Sequence, residues 1–315
     1  MSKEMRVVLA EKLDEIMAKN DKVVLMDADL ARANGTLDVH KKYPNRSVDV
    51  GVAEANMASM AAGIASYGLI PVIATFCPFA TRRICDQIAI SIQYAGCNVK
   101  IIGTDPGISA ELNGGTHMSF EDIGVLRSIP GIVIYEPVDA ISLAASLEQI
   151  INYEGTVYIR MFRKTLPDIF TPDYKFDLFK ADLLKEGTDV SIFASGILVY
   201  EAIKAAILLE QEGVSAEVIS IHTIKPIDTQ AIVDSVTKTR CAVTAENHNI
   251  IGGLYSAVCE TLAGTIPTPV VPIGIKDEFG VVGVLPYLKE HFGLNAKEIA
   301  TAVRKAISQK SATDV

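Results

Sequence analysis

Apolar residues in this chain gather into short unbroken runs, and stretches of helical period separate them. Val23-Val-Leu-Met26, Pro71-Val-Ile-Ala-Thr75, Val99-Lys-Ile-Ile102, Ile132-Val-Ile-Tyr135 and Thr156-Val-Tyr-Ile159 read as buried strands. Between them the pattern predicts helices near residues 4–19, 54–67, 79–95, 119–128 and 138–152. Ser119 with Asp122 three residues on reads as a capping pair for the fourth. The period is lost around Pro167 and Pro172, so residues 166–187 read as a linker lying across a surface. A second alternation follows, with strands at Val190–Ala194, Ala216–Ile221 and Cys241–Ala245. Its helices fall near 198–212, 228–238, 252–264, 284–291 and 296–308. Strand–helix repetition implies parallel sheets with right-handed crossovers. The fold class is therefore two α/β domains with mainly parallel sheets, residues 1–165 and 188–315.

Composition narrows the function classes. With 315 residues, 49% of them hydrophobic, the chain has material for two real cores. Absence of Trp and 6% aromatics leave an Ala/Ile/Val-rich chain suited to sheets covered by helices. A net charge of -9, without any basic run, argues against a nucleic-acid partner. Met1-Ser-Lys-Glu-Met-Arg6 lacks an apolar signal core and no apolar stretch approaches membrane length, so no membrane association and a cytoplasmic location are expected. Five cysteines (Cys77, Cys85, Cys97, Cys241 and Cys259) have neither metal-ligand spacing nor disulfide-framework density. Most are expected to be small buried hydrophobes.

One carboxylate stands out. Glu54 lies in Asp49-Val-Gly-Val-Ala-Glu-Ala-Asn-Met-Ala58, almost without other charge, and opens a helix of small residues. Such a helix packs close to its neighbours, so Glu54 is expected to be buried. A buried carboxyl without a partner keeps its proton towards neutral pH and becomes a proton donor there. The plainer reading is stabilisation of the positive helix end.

The motifs resemble the C-terminal half of transketolase, the thiamine-diphosphate enzyme, over essentially the whole chain. They are Val50-Gly-Val-Ala-Glu-Ala-Asn-Met57, Thr75-Phe-Cys-Pro-Phe-Ala-Thr-Arg82 with Asp86-Gln87, Gly114-Gly-Thr-His117, Glu136-Pro-Val-Asp139, and Thr244-Ala-Glu-Asn-His248 with Gly252-Gly253. That family holds the cofactor diphosphate through Mg²⁺ at a Gly-Asp-Gly turn, which this chain lacks. The resemblance thus implies a pyrimidine-binding domain plus a C-terminal domain. A separate N-terminal subunit would carry the diphosphate and Mg²⁺ site, in an expected α2β2 heterotetramer. No metal ligands are expected in this chain.

Roles follow from the resemblance residue by residue. Glu54 is the acid that hydrogen-bonds the cofactor pyrimidine. Phe79 stacks on that ring, Phe76 flanks it, and Arg82 of the same run lies beside the cofactor. Offset stacking contributes roughly 0.5–1.5 kcal/mol beyond burial. Without the resemblance, an aromatic pair at this spacing is ordinary core. Asp29 ends the first strand, where α/β sheets place ligands, and matches an aspartate near the cofactor across the subunit interface. Asp27 reads as a solvated or turn carboxylate. His117, shortly after two glycines, is implied to act in the substrate channel, in sugar contact or proton transfer. Arg6 and Arg163 match the arginines that hold a substrate phosphate, a task suited to the bidentate fork. Glu246 and His248 are expected to serve the subunit interface, and His40, His222 and His291 to be structural or exposed.

The resemblance frays at the substrate end. Asp105 stands where ordinary transketolases carry a phosphate-binding histidine, Asn113 where they carry an aspartate that reads the acceptor, and Ala33 where they carry a serine. An unusual, branched or non-phosphorylated sugar is implied, with Asp105 and Asn113 among the substrate-binding positions. The enzymatic alternative is the beta subunit of a 2-oxo acid dehydrogenase. The non-enzymatic one is a regulatory relative, which has no need for Glu54.

Overall fold

Parallel strand pairing organises both halves. The computed structural model describes residues 3–313. The first sheet holds β1 (Val23–Asp27), β2 (Ser47–Asp49), β3 (Ile70–Phe76), β4 (Lys100–Thr104), β5 (Val133–Tyr135) and β6 (Val157–Met161). The second holds β7 (Asp182–Lys185), β8 (Val190–Ala194), β9 (Ala216–Ser220), β11 (Ala242–Asn249) and β12 (Val270–Ile275). Between β9 and β11 the chain returns to the first sheet as β10 (Thr223–Lys225), antiparallel to β5. Strand order is β10-β5-β6-β4-β3-β1-β2 in one sheet and β12-β11-β8-β9-β7 in the other. All other pairings are parallel except β7 on β9. Two α/β halves with mostly parallel sheets are therefore present, and β10 stitches them together.

Four local expectations are corrected. The 79–95 helix is broken: Cys77–Ala80 forms one helical turn, Arg82–Ile84 a tighter one, and Gln87–Tyr94 a widened helix. Pro78 starts the first turn, and widened helical turns often mark functional sites. The predicted 119–128 helix begins only at Asp122, whose carboxylate turns into the core, while the Ser119 hydroxyl has no hydrogen-bond partner. The segment read as linker contains β7, and Asp139 Oδ2 accepts the Ile169 and Phe170 N–H groups at 2.7 and 3.0 Å. Only Cys77 and Cys241 are buried among the cysteines. No helix among the described residues is long and apolar enough to cross a membrane.

A buried charge network lies where the halves meet. Arg160 on β6 is fully buried; its Nε donates to Asp122 Oδ2 at 2.7 Å, Nη1 to Glu136, and Nη2 to the Asn247 carbonyl of β11 at 2.7 Å. Burial pushes both carboxyls up. At Asp122 the Arg160 charge, the hydrogen bonds from Arg160 and Tyr158 and the nearby His248 together outweigh burial, so it ends below its usual range, but Glu136 stays above its own. Glu246 and His248 are also fully buried inside this chain, which corrects their expected place at a subunit interface. Glu246 accepts the N–H groups of Leu254 and Tyr255 at 2.6 and 2.8 Å, capping the Leu254–Ala263 helix. His248 Nε2 accepts the Gly124 N–H at 3.3 Å and Nδ1 donates to the Asn249 carbonyl at 2.6 Å, an arrangement only the neutral ring satisfies.

Two stability tests follow. Arg160→Leu strands two buried carboxylates, so urea unfolding should show a loss of about 3–5 kcal/mol. Burial, chiefly, lowers the His248 pKa to about 4. The folded state then refuses a proton that the unfolded state takes below the ordinary value, so this contribution is full above about pH 6.5 and fades towards pH 4. His248→Gln should flatten the fall of unfolding free energy between about pH 6.5 and 5 by up to about 1.4 kcal/mol per unit.

Candidate active site

The register aligns the C-terminal ends of β1, β3, β4 and β6, since Asp27 pairs with Ala74, Phe76 with Thr104 and Thr104 with Met161. Open α/β sheets bind ligands at that edge. Phe76 closes β3, Asp105 follows β4 and Arg163 follows β6, so three predicted residues converge through sheet geometry alone. At the same edge the helix Glu54–Ser66 begins, packed on β3 and the Gln87–Tyr94 segment.

Glu54 is 4% exposed, as its small-residue helix predicted. It is not unpartnered: Arg83 Nη1 donates to its Oε1 at 2.6 Å. The same guanidinium lies over the Phe79 ring, 3.7 Å from its centre. Phe76, Phe79 and His117 form a triangle with ring centres 6.2, 5.9 and 5.3 Å apart. Arg82, exposed, donates to Glu121 at 2.7 Å and to the Thr116 carbonyl at 3.3 Å, bracing the turn that carries His117. The glycines before His117 serve packing within the chain, since a side chain on Gly115 would meet the Gly280 carbonyl at 2.5 Å.

A second group adjoins the first through Phe76, over which Arg163 lies at 4.8 Å. Arg163 Nε donates to Asp105 Oδ2 at 2.6 Å and Nη1 to the Ala33 carbonyl at 3.1 Å. Burial pushes the Asp105 carboxyl up while Arg163 pulls it down, with burial the larger effect. The Arg6 N–H donates to the Arg163 carbonyl at 3.0 Å, and its Nε to Glu4 at 2.7 Å. Asp29 is exposed at the end of β1, its N–H on Asp49 Oδ1 at 2.9 Å. Asn113 is exposed in the Gly107–Asn113 turn, and no hydrogen bond among the described residues ties it to the cluster.

Asp27 departs from its solvated expectation. It is fully buried and accepts from Asn34 at 2.7 Å, Thr36 at 2.8 Å and His40 at 2.8 Å. Asn34 in turn accepts from Thr104 at 3.0 Å, which fixes the loop carrying Ala33 against β4. Arg83 is the site residue that sequence reasoning passed over. Its only signal was position, one residue after Arg82 and past a proline that had to break the helix.

These features form one cluster: a buried carboxylate, the arginine that joins it to Phe79, and the aromatic pair with a histidine. The model of the transketolase pyrimidine-binding domain matches residues 1–168, and that of the transketolase C-terminal domain matches 179–299. The chain belongs to the transketolase family and carries its pyrimidine-binding and C-terminal domains. It is 48% identical to the 6-deoxy-6-sulfo-D-fructose transketolase subunit SqwH of Clostridium sp. (strain MSTE9), over 98% of this chain and 95% of that one. It is 35% identical to an apulose-4-phosphate transketolase subunit of Phocaeicola vulgatus, over 90% and 91% of the two chains. Among solved structures, a split-gene transketolase described as an inactive beta4 tetramer superposes with a TM-score of 0.89 at 38% identity, over 98% of this chain and all of that one.

Arg83→Ala leaves the buried Glu54 carboxylate without its cation. Urea unfolding is expected to show a loss of about 1–3 kcal/mol, and an unchanged midpoint would show that the pair carries no stability.

Proposed function

We infer that this chain is the pyrimidine-binding subunit of a thiamine-diphosphate-dependent transketolase that moves a two-carbon ketol unit between sugars. The observation that carries this reading is the buried Glu54 carboxylate, joined through Arg83 to Phe79, which meets Phe76 and His117. The residues suit the pyrimidine part of the cofactor: a desolvated carboxyl for a ring nitrogen, and a flat apolar face beside it. Bound thiamine diphosphate would supply the nucleophilic carbon that takes up the ketol fragment. Glu54 holds the hydrogen bond at pyrimidine N1′, in a site whose burial strengthens it. Phe79 and Phe76 orient the ring and exclude water, and His117 lies where sugar hydroxyls or a transferred proton need a partner. Arg83 bridges Glu54 and Phe79 through Glu54 Oε1, so a ring entering this corner either displaces that guanidinium or bonds the second carboxylate oxygen.

A second polypeptide completes the site in this reading, holding the diphosphate and Mg²⁺, in an α2β2 assembly. Support comes from the relatives, which are subunits, and from a solved split-gene neighbour described as an inactive beta4 tetramer. Those relatives favour ketol transfer over the 2-oxo acid alternative. At the substrate end, Arg6 and Arg163 face a terminal anionic group, with Asp105 beside them and Asn113 on the rim. The names of the two relatives, one for a sulfosugar and one for a sugar phosphate, agree with an anion there.

The test is reconstitution with the polypeptide that co-purifies, followed by assay of two-carbon transfer. Glu54→Gln should lower kcat/KM by at least about 100-fold with an unchanged far-UV circular dichroism spectrum. Near-parent activity would remove Glu54 from the mechanism, and full turnover by the chain alone would remove the second polypeptide.

A further inference from the structure

We propose that Asp105 selects the substrate class, committing Arg163 so that the site favours a sugar with a singly charged terminal group, a sulfonate, over a doubly charged phosphate. This rests on the functional reading above and goes further by assigning a charge to the ligand.

The geometry carries it. An arginine grips a dianion best through a bidentate edge. Here the Nε and Nη2 of Arg163 are both on Asp105 Oδ2, and Nη1 is on the Ala33 carbonyl. The carboxylate is 3% exposed and is not free to swing away. Its backbone has φ 55°, strained for a residue other than glycine, and its N–H is held by the Met161 carbonyl at 2.9 Å. The residues after it are clamped by Asn247, which accepts the Ile108 N–H at 3.0 Å and donates to the Pro106 carbonyl at 2.9 Å. Gly107 has φ 55° and admits no side chain against Asn247.

The neighbouring cations repeat the arrangement. Arg6 is paired with Glu4 and Lys164 with Glu111, and backbone bonds from Met5 and Arg6 to Lys164 and Arg163 make the three pairs contiguous. Each of these three positive charges thus arrives with its own carboxylate. A carboxylate fixed beside each cation cancels the extra attraction a dianion would otherwise gain, and the larger desolvation cost of the dianion then favours the monoanion. Arg6 bonds Glu4 through Nε, which leaves its terminal N–H groups for a single anionic oxygen set.

The experiment uses the chain reconstituted with its co-purifying polypeptide and two ketose donors, 6-deoxy-6-sulfofructose and fructose 6-phosphate, with one common acceptor. At about pH 7.5 the kcat/KM ratio should favour the sulfonate about tenfold or more. Near pH 5.5 the phosphate, with a second pKa near 6, becomes a monoanion and the ratio should shrink severalfold. Effects that act equally on both donors cancel in the ratio, whereas a titrating charge does not, so the Asp105→Asn comparison at one pH is what assigns the selection to Asp105. Asp105→Asn should cut the ratio about tenfold and abolish its pH response. A ratio that ignores both pH and Asp105→Asn, with both donors turned over, overturns this assignment alone. If Asp105→Asn does not fold, the same ratio measured on Asp105→Ser decides. Turnover of neither donor overturns the functional reading, and the assignment with it.

Discussion

Arg160 is the interaction on which the rest of the structure depends. A guanidinium held at 0% exposure is tolerable only when every neighbour that neutralises or accepts from it is in place. Those neighbours come from three separate stretches: Asp122, Glu136 and the Asn247 carbonyl of the second sheet. Satisfying one side chain therefore fixes how the two halves meet. Asn247 then spends its own side chain on the backbone at Pro106 and Ile108, the stretch just after Asp105. His248 does the same at Gly124. The C-terminal half touches none of the Glu54, Phe76, Phe79 and His117 group through these bonds, yet it sets the loops around them.

A parallel sheet explains why the site forms where it does. Its strands end together, and each end gives way to loop, free to turn a side chain over the edge. Asp27 shows the cost of that freedom being met. By accepting from Asn34, Thr36 and His40 it ties down the loop after β1, and Asn34 passes the restraint to Thr104 on β4. The positive-φ backbone at Asp29, Asp105 and Glu111 lies along this same rim, where strain is held by surrounding bonds.

The part of the molecule legible in the sequence was the part written in period and motif. Strands of four or five apolar residues and the small-residue helix at Glu54 announced themselves, and the motifs in order pointed to the family. Missed elements had physical reasons. β10 is only three residues and belongs to the sheet of the other half, so no local pattern shows its partner. β12 contains Pro272, which is tolerated because the strand lies at the sheet edge. Asp27, Glu246 and His248 looked like exposed or interfacial polar groups because burial of a polar side chain depends on partners distant in sequence. Arg83 was hidden for the same reason: its bond to Glu54 spans 29 positions.

The charges of the candidate site are matched in pairs within the chain: Glu54 with Arg83, Asp105 with Arg163, Glu111 with Lys164, Glu121 with Arg82. This lets the chain hold a buried carboxylate before any partner or ligand arrives, because no charge is left desolvated alone. The pairs differ in how firmly they are held. The Arg83 side chain is 43% exposed, so water can replace part of what it loses on leaving Glu54, although the buried carboxylate then needs another partner. The Arg163 side chain is 15% exposed, with Asp105 locked by its backbone and by Asn247, so that pair stays. The arginine over Phe79 is thus the more exposed and less restrained of the two, and the arginine over Phe76 the more buried, its carboxylate fixed by backbone and by the Asn247 clamp on the residues after it.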